Sequence, residues 1–424
     1  MIRKIFKSEY ILSMLNKGSG IVFGMVAAIF LNRYLGPELK GEYAQIMVYV
    51  TTLPLILDFG IYQAYPYFRK KYGEEMLQKF TDLSLLQFII YMIIAIISCF
   101  FVKDAVVILA ILTVPFATLL NQVNNLCLAV DVVYRSLVTI FSLFVNCTLT
   151  FALFIFPSDK KSLVPAIIIF MIKNVLMVVF FSRKLPIRTA FRSFDFKFVI
   201  QVFKYGFFPM LSGLLLVINF KLDVVFLSAF NIDNFSIGLF STALSIIEYM
   251  ALIPGVFNDV LYNHATKSNP INEIVFSIKT ITIVTFVTAI VVAVLAKPAL
   301  FILYGTEFVG AAPAIWILLL GRFSLVFFKL IGTLFLSDNK RIQYFLTLLL
   351  SFVLNAVLNP ILIPVWGICG SAAASVIAEI IASTVFIGLF LKEYKIPAKR
   401  LIVFEKEEIN KLKNRISQLI SRKQ

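Results

Sequence analysis

Runs of about twenty apolar residues, each long enough to cross a hydrocarbon core of about 30 Å, follow one another along this chain from end to end. Twelve can be drawn, near 10–32, 43–66, 79–101, 104–127, 135–156, 162–182, 205–229, 236–262, 274–296, 311–336, 342–364 and 368–391. A backbone in lipid must satisfy its own hydrogen bonds, so such runs can only be helices or a closed barrel, and twenty-residue runs are helices. With 60% hydrophobic and only 15% charged residues in 424, no soluble domain is expected. The expected fold class is an all-α membrane protein of about 12 transmembrane helices.

The formal charge of +16 would suit a nucleic-acid binder, but its placement argues otherwise. With the N-terminus in the cytoplasm, most of the 39 Lys and Arg fall in inner loops and in the tail, as the positive-inside rule requires. Both termini are then cytoplasmic and no nucleic-acid partner is expected. The N-terminal run after Arg3, Lys4 and Lys7 is too long for a signal peptide and reads as a retained span. Cys99, Cys127, Cys147 and Cys369 lie in or beside spans without a C-x-x-C pair, and His264 is the single histidine, so neither a disulfide framework nor a metal site is expected.

Nine ionisable residues sit inside the spans: Lys17, Asp58, Lys173, Lys221, Asp223, Glu248, Arg322, Lys329 and Glu379. A charge at mid-bilayer costs about 2.5–3.5 kcal/mol on insertion scales, so each needs a partner, a wet cavity or a function. Arg322 and Lys329 are seven apart and share a face of span 10; Lys17 adjoins Asn16 in span 1. These, with Lys173 and Lys221, are the candidates for an anionic ligand. Asp223 shares a face with Asn219, Glu248 with Ser241 and Ser245, and Glu379 with Ser375; such carboxylates suit binding of H⁺ or Na⁺. Asp58, near the inner end of span 2, suits the same role or a gating ion pair. Five cations against four anions also allow most of them to pair across helices.

The chain divides into residues 1–190, a first bundle of six spans; 191–392, a second bundle of six preceded by an interfacial amphipathic helix over 191–209; and 393–424, a basic amphipathic tail suited to an anionic leaflet. Residues 35–44 and 233–243 echo each other, Gly41 and Tyr43 matching Gly238 and Phe240 at a spacing of 197. The stretches LCLAVDVVYR, leading to Asn146, and LFLSDNKRIQ, leading to Asn355, form a second echo. Both keep one orientation, which predicts a parallel repeat about an axis along the membrane normal, with any substrate site between the halves. Pro54, Pro115, Pro209, Pro254 and Pro313 mark candidate hinges.

Three segments carry a family resemblance: LNRYLGPELKGEYA (31–44), KYGFFPML (204–211) and NPILIPVWGICGSAAASVIAE (359–379), the last joining two spans by a tight turn at 367–370. In these motifs and their order along the whole chain, the sequence resembles the polysaccharide flippases, the Wzx type of the MATE-like MOP exporter superfamily. The resemblance implies a non-enzymatic transporter of the bacterial inner membrane. It would move undecaprenyl-pyrophosphate-linked oligosaccharide units for O-antigen, capsule or exopolysaccharide by alternating access. The implied partners are that glycan lipid, membrane lipids and other polysaccharide-assembly proteins, with no cofactor beyond a coupling H⁺ or Na⁺.

Three alternatives stay open. A cation-coupled multidrug exporter of the same superfamily resembles sites built on acidic residues in span 1, where this chain has Lys17. A lipid II flippase resembles chains with additional spans. A membrane glycan polymerase needs a larger outer loop than 157–161 or 231–235 provides.

Overall fold

The computed structural model describes residues 9–156, 161–186, 196–265, 270–338, 340–405 and 408. Among them every regular element is helical. Helix α1 (Glu9–Leu57) has 49 residues and runs about 74 Å, enough to cross the bilayer twice. It does so by folding back at Gly36, whose φ of 67° lies in the left-handed region that L side chains avoid. Helix α2 (Ile61–Tyr72) completes the second span beyond a break at Phe59 and Gly60, both also at positive φ.

Six further helices follow in order: α3 (Glu75–Cys99), α4 (Ala105–Val130), α5 (Val132–Ile155), α6 (Val164–Ser182), α7 (Phe196–Ala229) and α8 (Asn234–Ala265). They lead to α9 (Pro270–Tyr304), a 3-10 turn (Thr306–Ala311), α10 (Ala312–Ser337), α11 (Arg341–Glu393) and the short α12 (Lys399–Ile402). Helix α11 is the counterpart of α1: its 53 residues hold two spans hinged at Gly367, φ 54°. Among the described residues nine helical segments are long and apolar enough to cross a membrane, and two of them, 15–72 and 341–393, are long enough to cross twice.

The sharp bends sit at glycines and not at the prolines that the sequence offers as hinges. Pro54, Pro115 and Pro209 lie inside α1, α4 and α7 without interrupting them, Pro254 falls within the backbone of α8, and Pro313 opens α10, where its missing N–H has no partner to lose. The 191–209 segment, expected as an interfacial helix leading into the seventh span, is described only from Phe196 onward. Residues 191–195 lie outside the described residues, and from Phe196 the chain is already α7, whose first turns pack Phe198, Val199 and Val202 onto Ile61, Phe68 and Phe80 of α2 and α3. The tail from 409 onward, with its expected amphipathic helix, also lies outside the described residues.

Packing repeats between the halves. In the first, α1 lies on α5, α3 on α4 and α4 on α6; in the second, α7 lies on α11, α9 on α10 and α10 on α11. The halves meet through α1 against α8 and α7, and α2 against α7. Each half has its own apolar clusters, one around Phe80, Val123 and Phe181, another around Val326, Phe335 and Phe386. Val48 of the second span joins a cluster of the other half, with Leu227, Ile237 and Phe240.

Loop ends are capped by side chains. Asp131 opens α5 by accepting the Tyr134 N–H at 2.8 Å and meets Lys184 Nζ at 3.3 Å. Chiefly the Tyr134 amide, with help from Lys184, holds this carboxyl below the usual carboxylate range. The contribution is therefore present at neutral pH and lost as pH falls through the lowered value. Asp131→Ala should lower stability by about 1 kcal/mol near neutrality. Thermal melts in detergent should show that difference closing below about pH 4.

Candidate functional site

The outer ends of the halves are sealed by backbone contact. A Cβ added to Gly41 would lie 1.9 Å from the carbonyl oxygen of Asn234, and one added to Gly238 would lie 1.9 Å from that of Pro37. Each glycine thus abuts the carbonyl four residues before its counterpart, reciprocally, which is how a two-fold axis passing between them would arrange it. The residues concerned are the pair matched at a spacing of 197, so the sequence echo marks the pseudo-symmetry contact itself.

Polar bonds flank the seal. Gln45 donates to Asn234 Oδ1 at 2.8 Å and accepts from Ser228 at 2.7 Å. Asn32 donates to Thr242 at 3.4 Å, and Arg33 donates to the carbonyls of Leu303 and Ile302 at the end of α9. A guanidinium at a helix C-terminus satisfies carbonyls that have no intrahelical partner. Arg33→Ala should therefore weaken outer closure modestly, by about 1–2 kcal/mol, seen as slightly faster labelling of outer-facing cysteines.

Below the seal, ionisable side chains from both halves converge. Lys40 at the start of the second span is buried over the Tyr43 ring, 5.3 Å from its centroid, within electrostatic range of Lys221 and Glu248. Lys221 of α7 and Glu248 of α8 form an ion pair at 4.0 Å, both partly exposed. Further inward Lys17 of α1 and Lys329 of α10 are exposed, and Lys329 feels both Arg322 on its own helix and Lys17 from the opposite half. Asn16, half-buried, flanks Lys17, and a Cβ on Gly18 would meet nothing within 4 Å. Lys17, Lys40, Lys221 and Lys329, with Glu248, thus gather on helices of both halves to one side of the Gly41–Gly238 contact.

Not every sequence candidate joins them. Arg322 is only 3% exposed, and Glu379, within its electrostatic range, sets its carboxylate against Gly321, so this pair is packed inside the second half. Lys173 lies over the Phe170 ring at 4.4 Å on α6, a helix that packs on α4 and α5. Asp58 is fully buried and has no Lys or Arg within ion-pairing distance among the described residues, so the structure gives it no gating ion pair.

Asp223 anchors a second polar assembly. Its carboxylate accepts from Asn359 at 3.0 Å and from Ser375 at 2.5 Å. Asn359 also takes the Ser371 hydroxyl at 2.7 Å and bonds to Asn355; Asn355 reaches Ser375 at 3.2 Å and Asn219, which in turn donates to Ser351 at 2.8 Å. The network ties the seventh span to both arms of α11. Of its members, helical spacing around the intramembrane charges points to Asp223, Asn219 and Ser375. Ser351, Asn355 and Asn359 escape that reading as a group, although their four-residue spacing along an apolar helix puts them on one face. Lys40 escapes it too, because it falls just before the apolar run of span 2. Among the described residues no three His, Cys, Asp or Glu gather as a metal cluster.

No protein-family model and no curated protein matches the sequence. Solved structures do match. An inward-facing multidrug resistance MATE family transporter of the MOP superfamily superposes with a TM-score of 0.67 over 89% of this chain and 95% of that one, at 15% identity. The chain has the MOP-superfamily fold. The lipid II flippase MurJ in an inward closed conformation gives 0.69 over 93% and 88%, at 16% identity. A MOP superfamily transporter from Pyrococcus furiosus Vc1, whose binding pocket is described as reversed in polarity, gives 0.58 over 93% and 97%, at 12% identity. The two-bundle arrangement is consistent with that fold. At these identities it leaves the substrate open.

Proposed function

We propose that this chain is a flippase that carries an undecaprenyl-pyrophosphate-linked oligosaccharide across the bacterial inner membrane by alternating access, serving surface polysaccharide assembly. One observation carries the reading: the exposed Lys17 and Lys329 come from opposite lobes and lie within electrostatic range of each other. Like charges brought together across the lobes repel, and an anion between them offsets that cost while drawing the lobes together. A pyrophosphate headgroup fits that role, with Lys221 and Lys40 nearer the outer seal to receive it as it moves. The isoprenoid tail stays in lipid, and the sugars occupy the wet cleft. The Asp223 network, rich in oxygen ligands and buried, is the place for a coupling H⁺ or Na⁺, with Glu248 and Glu379 as secondary carboxylates. In this reading the protein makes and breaks no covalent bond.

Vesicles containing the purified protein and a polyprenyl-pyrophosphate oligosaccharide test it, with translocation read by access of an external glycosidase. The wild type should expose the sugar, and Lys17→Glu with Lys329→Glu should cut the rate at least about tenfold, as expected if one close charge contact of about 1.4 kcal/mol is lost. Unaltered flipping in the charge-reversed protein would refute the anion-binding role. Export of cationic dyes without glycan movement would mark a multidrug exporter, and movement of lipid II alone would mark the other flippase class.

A further inference from the structure

The first turns of α7 lie across α2 and α3 and touch them at two places. Phe198 packs edge-on against Phe68 and Phe80, its ring centroid 5.6 Å from each. The backbones of Gly60 and Gly206 also meet, a Cβ on Gly206 falling 2.0 Å from the Gly60 oxygen. Beside these contacts α7 leaves a cavity of about 470 Å³, walled by Leu83, Leu86 and Ile90 of α3 and by Phe196, Ile200 and Phe203 of α7. Leu83 is buried, whereas Ile90, Phe196 and Ile200 are exposed, so the cavity is backed by the protein and open on its lipid side.

Two of the lining residues carry polar groups, and both spend them on the protein. Tyr91 gives its hydroxyl to the Leu57 carbonyl at 2.8 Å; Gln87 gives its Nε2 to the same carbonyl at 2.7 Å and accepts from Gln122 Nε2 at 2.5 Å. What the walls offer a ligand is hydrocarbon. The volume takes about fifteen water-sized groups, the bulk of one lipid chain. Positive-inside threading puts the start of α3 at the inner face, and at about 1.5 Å per residue Leu83 lies about 12 Å and Tyr91 about 24 Å along the helix. That is the depth of an inner-leaflet chain in a core of about 30 Å. Lysines mark the inner end. Lys79, exposed, stands one turn before Leu83 on the same stripe of α3, with Nζ 5.8 Å from the centroid of the Phe198 ring. Lys197 and Lys204, also exposed and seven apart, flank the lining stripe of α7. Against these three stand Glu75 and Asp82 of α3, and Asp82 is engaged by Gln78 at 2.9 Å. The balance favours an anionic headgroup over a zwitterionic one.

We propose that this cavity binds one acyl chain of an anionic phospholipid of the inner leaflet, with the lipid phosphate at Lys79. Seated there, the chain packs at once on Phe59 at the break of the second span, on α3 and on α7, filling space that the side chains leave empty at a joint between the lobes. The isoprenoid tail of the carried lipid is the rival occupant. Its headgroup belongs with Lys17 and Lys329, whereas the lysine at this mouth is on α3. The lipid site does not rest on what the protein transports.

Quenching of a single tryptophan by brominated lipids tests it, with the full-length protein in lipid nanodiscs and no substrate. Phe203→Trp, in a Trp316→Phe and Trp366→Phe background, puts the reporter in the cavity wall. Phosphatidylglycerol brominated at mid-chain should reach half-quenching at an about fivefold lower mole fraction than phosphatidylcholine brominated likewise, the preference that one lysine gives an anionic headgroup. Lys79→Gln, a change at an exposed position, should erase that preference. Val199→Phe, which fills the cavity, should weaken quenching by both lipids; if that variant does not fold, the Lys79→Gln comparison decides. Equal quenching by the two lipids would overturn the proposal, as would a preference that survives Lys79→Gln. So would recovery of fluorescence on adding unbrominated polyprenyl diphosphate, since the cavity would then hold the tail of the carried lipid, a result that leaves the transport reading intact.

Discussion

Gly41→Ala or Gly238→Ala should open the outer seal. Each Cβ would fall 1.9 Å from a carbonyl oxygen of the opposite lobe, far inside van der Waals contact, and neither oxygen belongs to a flexible side chain that could swing away. Relief requires the lobes to part, which costs the outer-closed state about 1–3 kcal/mol by overpacking and moves the conformational equilibrium by about 5–150-fold. Ser245→Cys, placed on α8 inward of the seal in a background without the four native cysteines, reports it. An impermeant maleimide added outside should label it many times faster in either glycine variant. The double variant should be less than additive, because one separation relieves both clashes. Unchanged labelling would mean that the reciprocal contact does not hold the cleft shut.

Asp223→Leu should be the most destabilising single change in the second lobe. It strands the donors of Asn359 and Ser375 inside an apolar bundle, and each orphaned donor costs about 1–3 kcal/mol. A melting-temperature loss of several degrees in detergent is expected. Asp223→Asn keeps the size and one acceptor, so it should fold near normally while its transport stops responding to pH or Na⁺ gradients. If Asp223→Asn flips substrate with the wild-type gradient dependence, the network is structural and the coupling ion binds elsewhere.

Much of this architecture is legible in the amino-acid sequence. The twelve spans follow from the length of each apolar run, and Gly41 can be matched with Gly238 because a close backbone approach admits only glycine at both related positions. Asp223 with Asn219, and Ser375 with Glu379, are visible as helical faces because a four-residue spacing is a local property. Their junction with Asn355 and Asn359 is not, since it depends on how the seventh span packs against both arms of α11. The same limit explains Arg322. Its mid-span position marks it as important, but whether it lines the cleft or lies behind it beside Glu379 is set by the rotation of α10. Near-balanced charges make an ion pair the natural expectation for Asp58, yet the contacts around it are amides and phenols.

The sequence by itself determined that the chain lives in a bilayer, how often it crosses, that its halves are parallel repeats, and which charged residues require an explanation, because these depend on composition, run length and local spacing. Only the tertiary structure decided which of those charges meet. Helix rotation and the bends at Gly36, Gly60 and Gly367 choose each side chain's neighbours, bringing Lys17 toward Lys329, burying Arg322, and leaving Asp58 among amides and phenols without a cation.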